Sequence, residues 1–431
     1  MTAATPGVAG LGQLQPRAAA YSIRANLAWV FAANALYLAG QWLVLAVVAK
    51  LGTPEIVGQI SLGFAITAPV FLLSNLRLRT VQATDARGEY SPGEYLGARI
   101  VTTALALAAV GLLCLVYPLQ GQSAVVVMWI AGAKAFESGS DLFYGLFQQQ
   151  DRTSRMTASI MARGICSVTA VALVSYFRRD AASASAALCL SSVLLLLFCD
   201  IPLAAGVLKE VRGRGLDLHF DWLPMRRLIS RSFPLGLSAM LMSLGANMPR
   251  YFIERSLGAG EVGIFSAVWY VAAAGGYVVS AMAEGAGPRL GRLFASGQAA
   301  DLQRVLRLLL GTSLMIGLAS ALLNRIAGKA ILGWIYNSEY QAGSELLVWL
   351  SLAATVANAA SILSYGMISV RKYRDHLVAL LVMTAVTGAG CALLVPRFGL
   401  TGAALALMAG YLVQAGWGLL AVNRNPMAEA A

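Results

Sequence analysis

Long apolar runs separated by short polar breaks dominate the chain. They occur at residues 25–49, 56–76, 100–117, 124–147, 156–177 and 182–208. A polar stretch at 209–231 follows, carrying Arg212, Arg214, Asp217, Asp221, Arg226 and Arg227. The pattern then resumes at 233–253, 262–288, 305–323, 346–369, 377–395 and 400–422. Each run approaches or exceeds the roughly 20 residues that a helix needs to cross hydrocarbon. A β-barrel would require strands of about ten residues alternating apolar and polar, and segments such as 191–198 do not alternate. The pattern predicts an all-α membrane protein of about 12 transmembrane helices, in two pseudo-symmetric six-helix bundles around a central cavity. The corresponding boundaries are a tail at 1–24, a first bundle at 25–208, a linker at 209–231, a second bundle at 232–423 and a tail at 424–431.

Composition agrees: 58% of the 431 residues are hydrophobic and 12% charged, against about 25% charged in a soluble domain. The net charge of +12 is scattered in short groups between apolar runs, which argues for membrane orientation and against nucleic acid. Cytoplasmic loops hold the excess of Lys and Arg. One set of alternate loops, with both tails, holds most of these residues, among them Arg77, Arg79, Arg99, Arg163, Arg212, Arg289, Arg371 and Arg424. The other set holds only Lys50, Arg178, Arg179, Arg250, Arg255, Arg325, Lys329 and Arg397, and Asp180 offsets part of the Arg178–Arg179 pair. Both termini are therefore expected in the cytoplasm. Residues 1–20 carry Arg17 alone among Ala, Gly, Pro and Gln, so no cleavable signal peptide is expected and the first run stays as a span. All five cysteines (Cys114, Cys166, Cys189, Cys199 and Cys391) fall inside apolar runs without a CxxC pair, predicting neither disulfides nor a metal site, and no cofactor.

An internal repeat supports the division into two sixes. Leu51-Gly52-Thr53-Pro54-Glu55-Ile56-Val57-Gly58 and Ser61 recur as Leu257-Gly258-Ala259-Gly260-Glu261-Val262-Gly263 and Ser266, with one residue deleted. Both copies lie between the first and second spans of their half. Halves of equal orientation imply a parallel repeat about the membrane normal, a design that in transporters sets the substrate path between the halves.

The stretch 50–85, with its Leu-Gly-Thr-Pro-Glu turn and its Asn75-Leu76-Arg77-Leu78-Arg79 end, resembles the polysaccharide (O-antigen type) flippase family. That family lies within the multidrug/oligosaccharidyl-lipid/polysaccharide exporter superfamily. Residues 247–266, Pro288-Arg289-Leu290 and the segment 395–403 agree with it. The resemblance implies twelve spans, a bacterial inner-membrane location and translocation of a polyprenyl-diphosphate-linked oligosaccharide from the cytoplasmic to the periplasmic leaflet. Membrane lipid and other polysaccharide-assembly membrane proteins would be its further partners. The family has no strict catalytic signature, so the resemblance assigns no catalytic residue.

Ionisable side chains inside a bilayer are costly, about 2.5 to 3.5 kcal/mol on insertion scales, and usually face a bundle interior or wet cavity. In the fourth span Lys134, Glu137 and Asp141 fall at i, i+3 and i+7, one helical face that Tyr144 continues. An ion pair bracing neighbouring helices accounts for this face. So does a cavity in which Lys134 attracts a diphosphate while an acid titrates or orients it. In the seventh span Ser243, Asn247, Arg250 and Glu254 form a second stripe, and in the first Asn34, Tyr37 and Gln41 form a third. The repeat aligns Gln41 with Asn247, and matching faces suit a shared cavity, although helix-to-helix hydrogen bonds would use the same residues. Arg77 and Arg79 end the second span, where they would meet a lipid diphosphate through bidentate hydrogen bonds or simply anchor the cytoplasmic side. Glu284 takes the repeat position of Arg79. Pro69 and Gly275-Gly276 are candidate bends. The candidate substrate residues are therefore Lys134, Arg250, Asn34, Gln41, Asn247, Arg77 and Arg79, and the coupling candidates Glu137, Asp141 and Glu284.

The leading expectation is a flippase working by alternating access. An ion-coupled multidrug exporter of the same superfamily remains open through the acids Glu137, Asp141 and Glu284, while Lys134 and Arg250 weigh against it. A membrane enzyme of polysaccharide assembly would need a large outer loop or an acidic nucleotide-sugar site. The longest outer connection, about 324–345, is short, His219 and His376 are the only histidines, and no P-loop or paired-Asp motif occurs. The expectation is not an enzyme.

Overall fold

A computed structural model describes residues 36, 39–117, 119, 122–212 and 221–423. Among these the secondary structure is entirely helical, as hydrocarbon requires when every backbone polar group must be satisfied within its own segment. The helices are α1 (Ala39–Leu51), α2 (Pro54–Asn75), α3 (Leu78–Thr84), α4 (Pro92–Val116), α5 (Ser123–Gln149), α6 (Thr153–Arg178), α7 (Ala181–Leu195) and α8 (Ile201–Arg212). The second half has α9 (Trp222–Leu257), α10 (Ala259–Ala272), α11 (Gly276–Ala295), α12 (Ala299–Ile335), α13 (Ser344–Ser369) and α14 (Tyr373–Asn423). Among the described residues, twelve spans emerge when α2 with α3, α7 with α8 and α10 with α11 each count as one and α14 counts as two.

Where spans begin and break follows from local chemistry. Ser91 and Glu94 form a capping box that starts α4 with Pro92 in its first turn. Asp180 caps α7 by accepting from the Ser183 amide at 2.7 Å. α10 and α11 meet at a 53° bend beside Gly275 and Gly276, where the sequence anticipates one. Pro69 behaves differently: α2 runs through it. Proline has no N–H for the carbonyl four residues earlier, and Tyr251 of α9 donates its hydroxyl to that carbonyl, on Ala65. The second span breaks instead at Leu76 and Arg77, both left-handed with φ of 50°, an uncommon conformation for such residues that costs of order 1–3 kcal/mol each. The runs 377–395 and 400–422 are joined without a polar loop, α14 kinking at Gly399 with φ of 56°. The expected 209–231 linker is shorter than its polarity suggests, because α8 continues to Arg212 and α9 already starts at Trp222.

The two repeat copies pack directly on each other. A Cβ on Gly58 would stand 1.7 Å from the Ala259 carbonyl oxygen, and one on Gly263 would stand 1.9 Å from that of Pro54. These equivalent glycines let α2 and α10 cross backbone to backbone, the close approach that small residues permit in membranes. The contact continues in a core that draws on both halves, including Val57, Ile253, Val262, Phe265 and Leu350. Asn337 Nδ2 donates to the Ala49 carbonyl at 3.2 Å, and Lys50 Nζ to that of Trp334 at 3.2 Å. Leu115, Phe177, Ile326 and Trp334 are exposed, as suits side chains whose solvent is lipid.

Candidate functional site

The fourth span carries its charges into the protein. α5 is absent from the helices apolar enough to cross a membrane by composition, and its polar face lines a chamber of about 320 Å³ with residues of α2, α3 and α6. Lys134, Glu137, Ser138, Asp141 and Tyr144 come from α5, Asn75 and Phe71 from α2, Arg79 from α3 and Arg163 from α6.

The ionised groups answer one another. Lys134 Nζ donates to Glu137 at 2.7 Å and lies 5.3 Å from the Phe64 ring centre. Asp141 faces two arginines, Arg79 at 3.4 Å and Arg99 at 3.5 Å. Arg79 also donates to Gln148 at 3.1 Å and sits 5.6 Å over the Tyr144 ring. Its position follows from the left-handed break at Leu76 and Arg77, after which α3 packs against α5. Buried Arg99 donates to Asn75, the last residue of α2, and to Ser138 at 3.2 Å. Arg163 pairs with Asp200 at 3.2 Å and donates to Ser140 at 2.5 Å. A π-helical turn at Leu196–Asp200 sets Asp200 in the interior, where Ser159 also donates to it and in turn exchanges a hydrogen bond with Tyr144 at 2.9 Å. Four cations, Arg79, Arg99, Lys134 and Arg163, thus oppose three carboxylates, Glu137, Asp141 and Asp200, leaving one positive charge in excess among the described residues. Arg163 Nη1 and Arg99 Nε are buried without an acceptor there.

The residues expected at the site divide. Arg79, Lys134, Glu137 and Asp141 share this chamber, and Gln41 lies beside it, lining a small adjoining recess with Phe64 and Arg163. Asn34 and Tyr37 fall outside the described residues. Arg250 and Asn247 do not join Lys134. Arg250 is buried in the other half, donating to Asn247 at 3.0 Å and to Ser266 at 2.9 Å with the Phe265 ring 5.7 Å away. Its neighbour Glu254 accepts from Tyr117 at 3.3 Å. Arg77 is exposed, and Glu284 accepts from Tyr365 at 3.0 Å. Two arginines counted as loop anchors, Arg99 and Arg163, are interior: α4 starts at Pro92, ahead of the run 100–117, and Arg163 lies within the run 156–177 itself, in the middle of α6. Asp200 carried a readable signal, a lone carboxylate inside the run 182–208. Among the described residues no cluster of metal-ligating side chains occurs.

The comparisons with known proteins converge on one family and one fold. The profile of a polysaccharide biosynthesis protein family matches residues 24–294. The capsular polysaccharide biosynthesis protein CapF of Staphylococcus aureus is 26% identical over 382 residues, 89% of this chain and 94% of that protein. Among solved structures, an inward-facing multidrug resistance MATE family transporter of the MOP superfamily aligns with a TM-score of 0.72 at 16% identity, covering 90% of this chain and 94% of that one. The lipid II flippase MurJ in an inward closed conformation aligns with a TM-score of 0.69 at 11% identity, covering 92% and 87%. The chain shares their fold.

Proposed function

The chain belongs to the polysaccharide biosynthesis protein family, and from that premise we propose that it is a flippase. Its substrate is a polyprenyl-diphosphate-linked oligosaccharide, moved from the cytoplasmic to the periplasmic leaflet of the bacterial inner membrane during polysaccharide assembly, with both termini cytoplasmic. The observation that carries this reading is the chamber lined by α2, α3, α5 and α6, whose ionised side chains and their partners number one cation more than their carboxylates. Sugar hydroxyls and a diphosphate cross hydrocarbon only at several kcal/mol per unpaired polar group. A net positive interior lined by polar side chains offers them partners while the polyprenyl tail stays in lipid. The drug-exporter alternative fits less well at this chamber: Glu137 and Asp141 already face cations at 2.7 to 3.5 Å, as does Asp200, while Glu284, the third acid of that alternative, lies outside the chamber and accepts from Tyr365. No step of the reading calls for catalysis.

Leaflet access tests it. Cells lacking the chain should accumulate lipid-linked oligosaccharide that an impermeant sugar-modifying enzyme added outside cannot reach, with unchanged sensitivity to cationic dyes. Dye hypersensitivity with unaltered lipid-linked sugars would overturn the proposal in favour of the exporter.

A further inference from the structure

The chamber lining is a poor match to phosphate alone. Phosphate oxygens only accept hydrogen bonds, and an ionised carboxylate beside them repels. Yet Glu137 lies 2.7 Å from Lys134, and Asp141 lies between Arg79 and Arg99. A sugar hydroxyl both donates and accepts. Adjacent hydroxyls on a ring therefore match a cation and a carboxylate fixed side by side, and both bonds are charge-assisted. The C–H face of a ring needs an apolar wall, which Phe71, Leu72 and Ile160 supply. The volume, about 320 Å³, sits at the lower end of small-molecule sites, which span about 300–1,000 Å³, a scale that suits a sugar ring and not a whole oligosaccharide.

Arg79 stands apart from the other cations of the lining. Its side chain is 27% exposed, against 19% for Lys134 and 4% for Arg163, and it shares its carboxylate with Arg99. The surplus positive charge therefore belongs to the Arg79–Arg99–Asp141 group, in which Arg79 is the more exposed cation, on the element that follows the break at Leu76 and Arg77.

We infer that the chamber is a saccharide subsite: it takes the sugar adjoining the diphosphate, between Lys134, Glu137 and the Phe71 wall, while the diphosphate stays at Arg79. The inference rests on the flippase reading and narrows it to one part of the substrate.

The test is equilibrium binding of the purified full chain in lipid nanodiscs to two probes, a polyprenyl diphosphate and the same lipid bearing one hexose. The parent protein should bind the glycosylated lipid roughly tenfold tighter or better. Lys134→Met with Glu137→Gln removes both charges of this ion pair together and should bring the two lipids to equal affinity. Arg79→Gln should weaken both lipids in parallel. Phe71→Leu, which keeps the wall filled, should lower the preference severalfold and checks the result should the double variant lose its thermal transition. Equal binding of both lipids by the parent overturns the subsite and leaves the flippase reading intact. A double variant that loses both lipids in step overturns it too, because the chamber would then hold the diphosphate. A parent that binds neither lipid overturns the flippase reading, and the subsite falls with it.

Discussion

A methyl group placed at Gly58 probes the crossing of the two halves. The alanine Cβ would stand 1.7 Å from the Ala259 carbonyl oxygen and 2.7 Å from its carbon, whereas real Cβ contacts do not fall below 3.0 Å. The obstacle is backbone, which no rotamer change relieves, so α2 and α10 must part by roughly 1.3 Å or more. Overpacking of this kind costs about 1–3 kcal/mol, and a rigid neighbour on both sides puts Gly58→Ala at the upper end. Gly263→Ala meets the Pro54 carbonyl at 1.9 Å across the same crossing, so one separation relieves both methyl groups. The double variant should therefore cost clearly less than the sum of the singles, a coupling of the size seen between touching residues, about 0.5–3 kcal/mol. The readouts are thermal unfolding in detergent and disulfide trapping of Glu55→Cys with Gly260→Cys in a chain whose own cysteines are replaced. Residue 55 is suited to this, since its carboxylate lies 3.1 Å from where a Gly260 Cβ would be. Gly58→Ala should lower the transition by several degrees and slow trapping. Gly111→Ala, which meets nothing within 4 Å, should do neither. A Gly58→Ala protein that melts and cross-links like its parent would refute the backbone-to-backbone crossing.

Three further outcomes follow from the same geometry. Arg163→Met leaves Asp200 buried without its cation and should destabilise by about 3–5 kcal/mol, while Arg163→Met with Asp200→Leu should recover most of that in thermal unfolding; an equally unstable double variant would count against the ion pair. Lys134→Ala removes the donor that Glu137 accepts from at 2.7 Å and should lower membrane abundance on immunoblots, and adding Glu137→Ala should restore it. Reporter fusions after Arg212 and at the C-terminus should read cytoplasmic and a fusion near Ser338 periplasmic, a reversed pattern overturning the orientation.

The spans were legible because apolar runs of about 20 residues have few alternatives. The polar face of α5 was legible too, because 3- and 7-residue spacings project to one side of a helix whatever surrounds it. What answers that face was not. Arg79, Arg99, Arg163 and Asp200 reach it from α3, α4, α6 and the π-turn, and no spacing along one chain segment encodes which helices become neighbours. Stripe matching through the repeat joined Gln41 to Asn247 as equivalents, but equivalence under a two-fold places residues in corresponding positions and brings them into contact only near the axis. Gly58 and Gly263 lie at such a place. Arg250 and Lys134 were candidates for one cavity as polar stripes of the two halves, and each meets partners within its own half.

Two rules compete for an arginine near the edge of an apolar run. Charge asymmetry counts it as a loop anchor, whereas the cost of insertion makes it a buried, functional group. The deciding fact is where the helix starts, and hydropathy alone reads that late. The run at 100–117 implied that Arg99 stood outside the membrane helix. Ser91-Pro92-Gly93-Glu94 is a capping box with proline at the first helical position, a start signal that depends on hydrogen bonding and not on hydrophobicity. Reading it moves the helix start back to Pro92 and puts Arg99 two turns inside, where its guanidinium must find partners. It finds Asn75, Ser138 and Asp141. Each of these lines the chamber, so the interior arginine that hydropathy concealed is the one that fixes the end of α2 against α5 and holds the carboxylate that Arg79 shares.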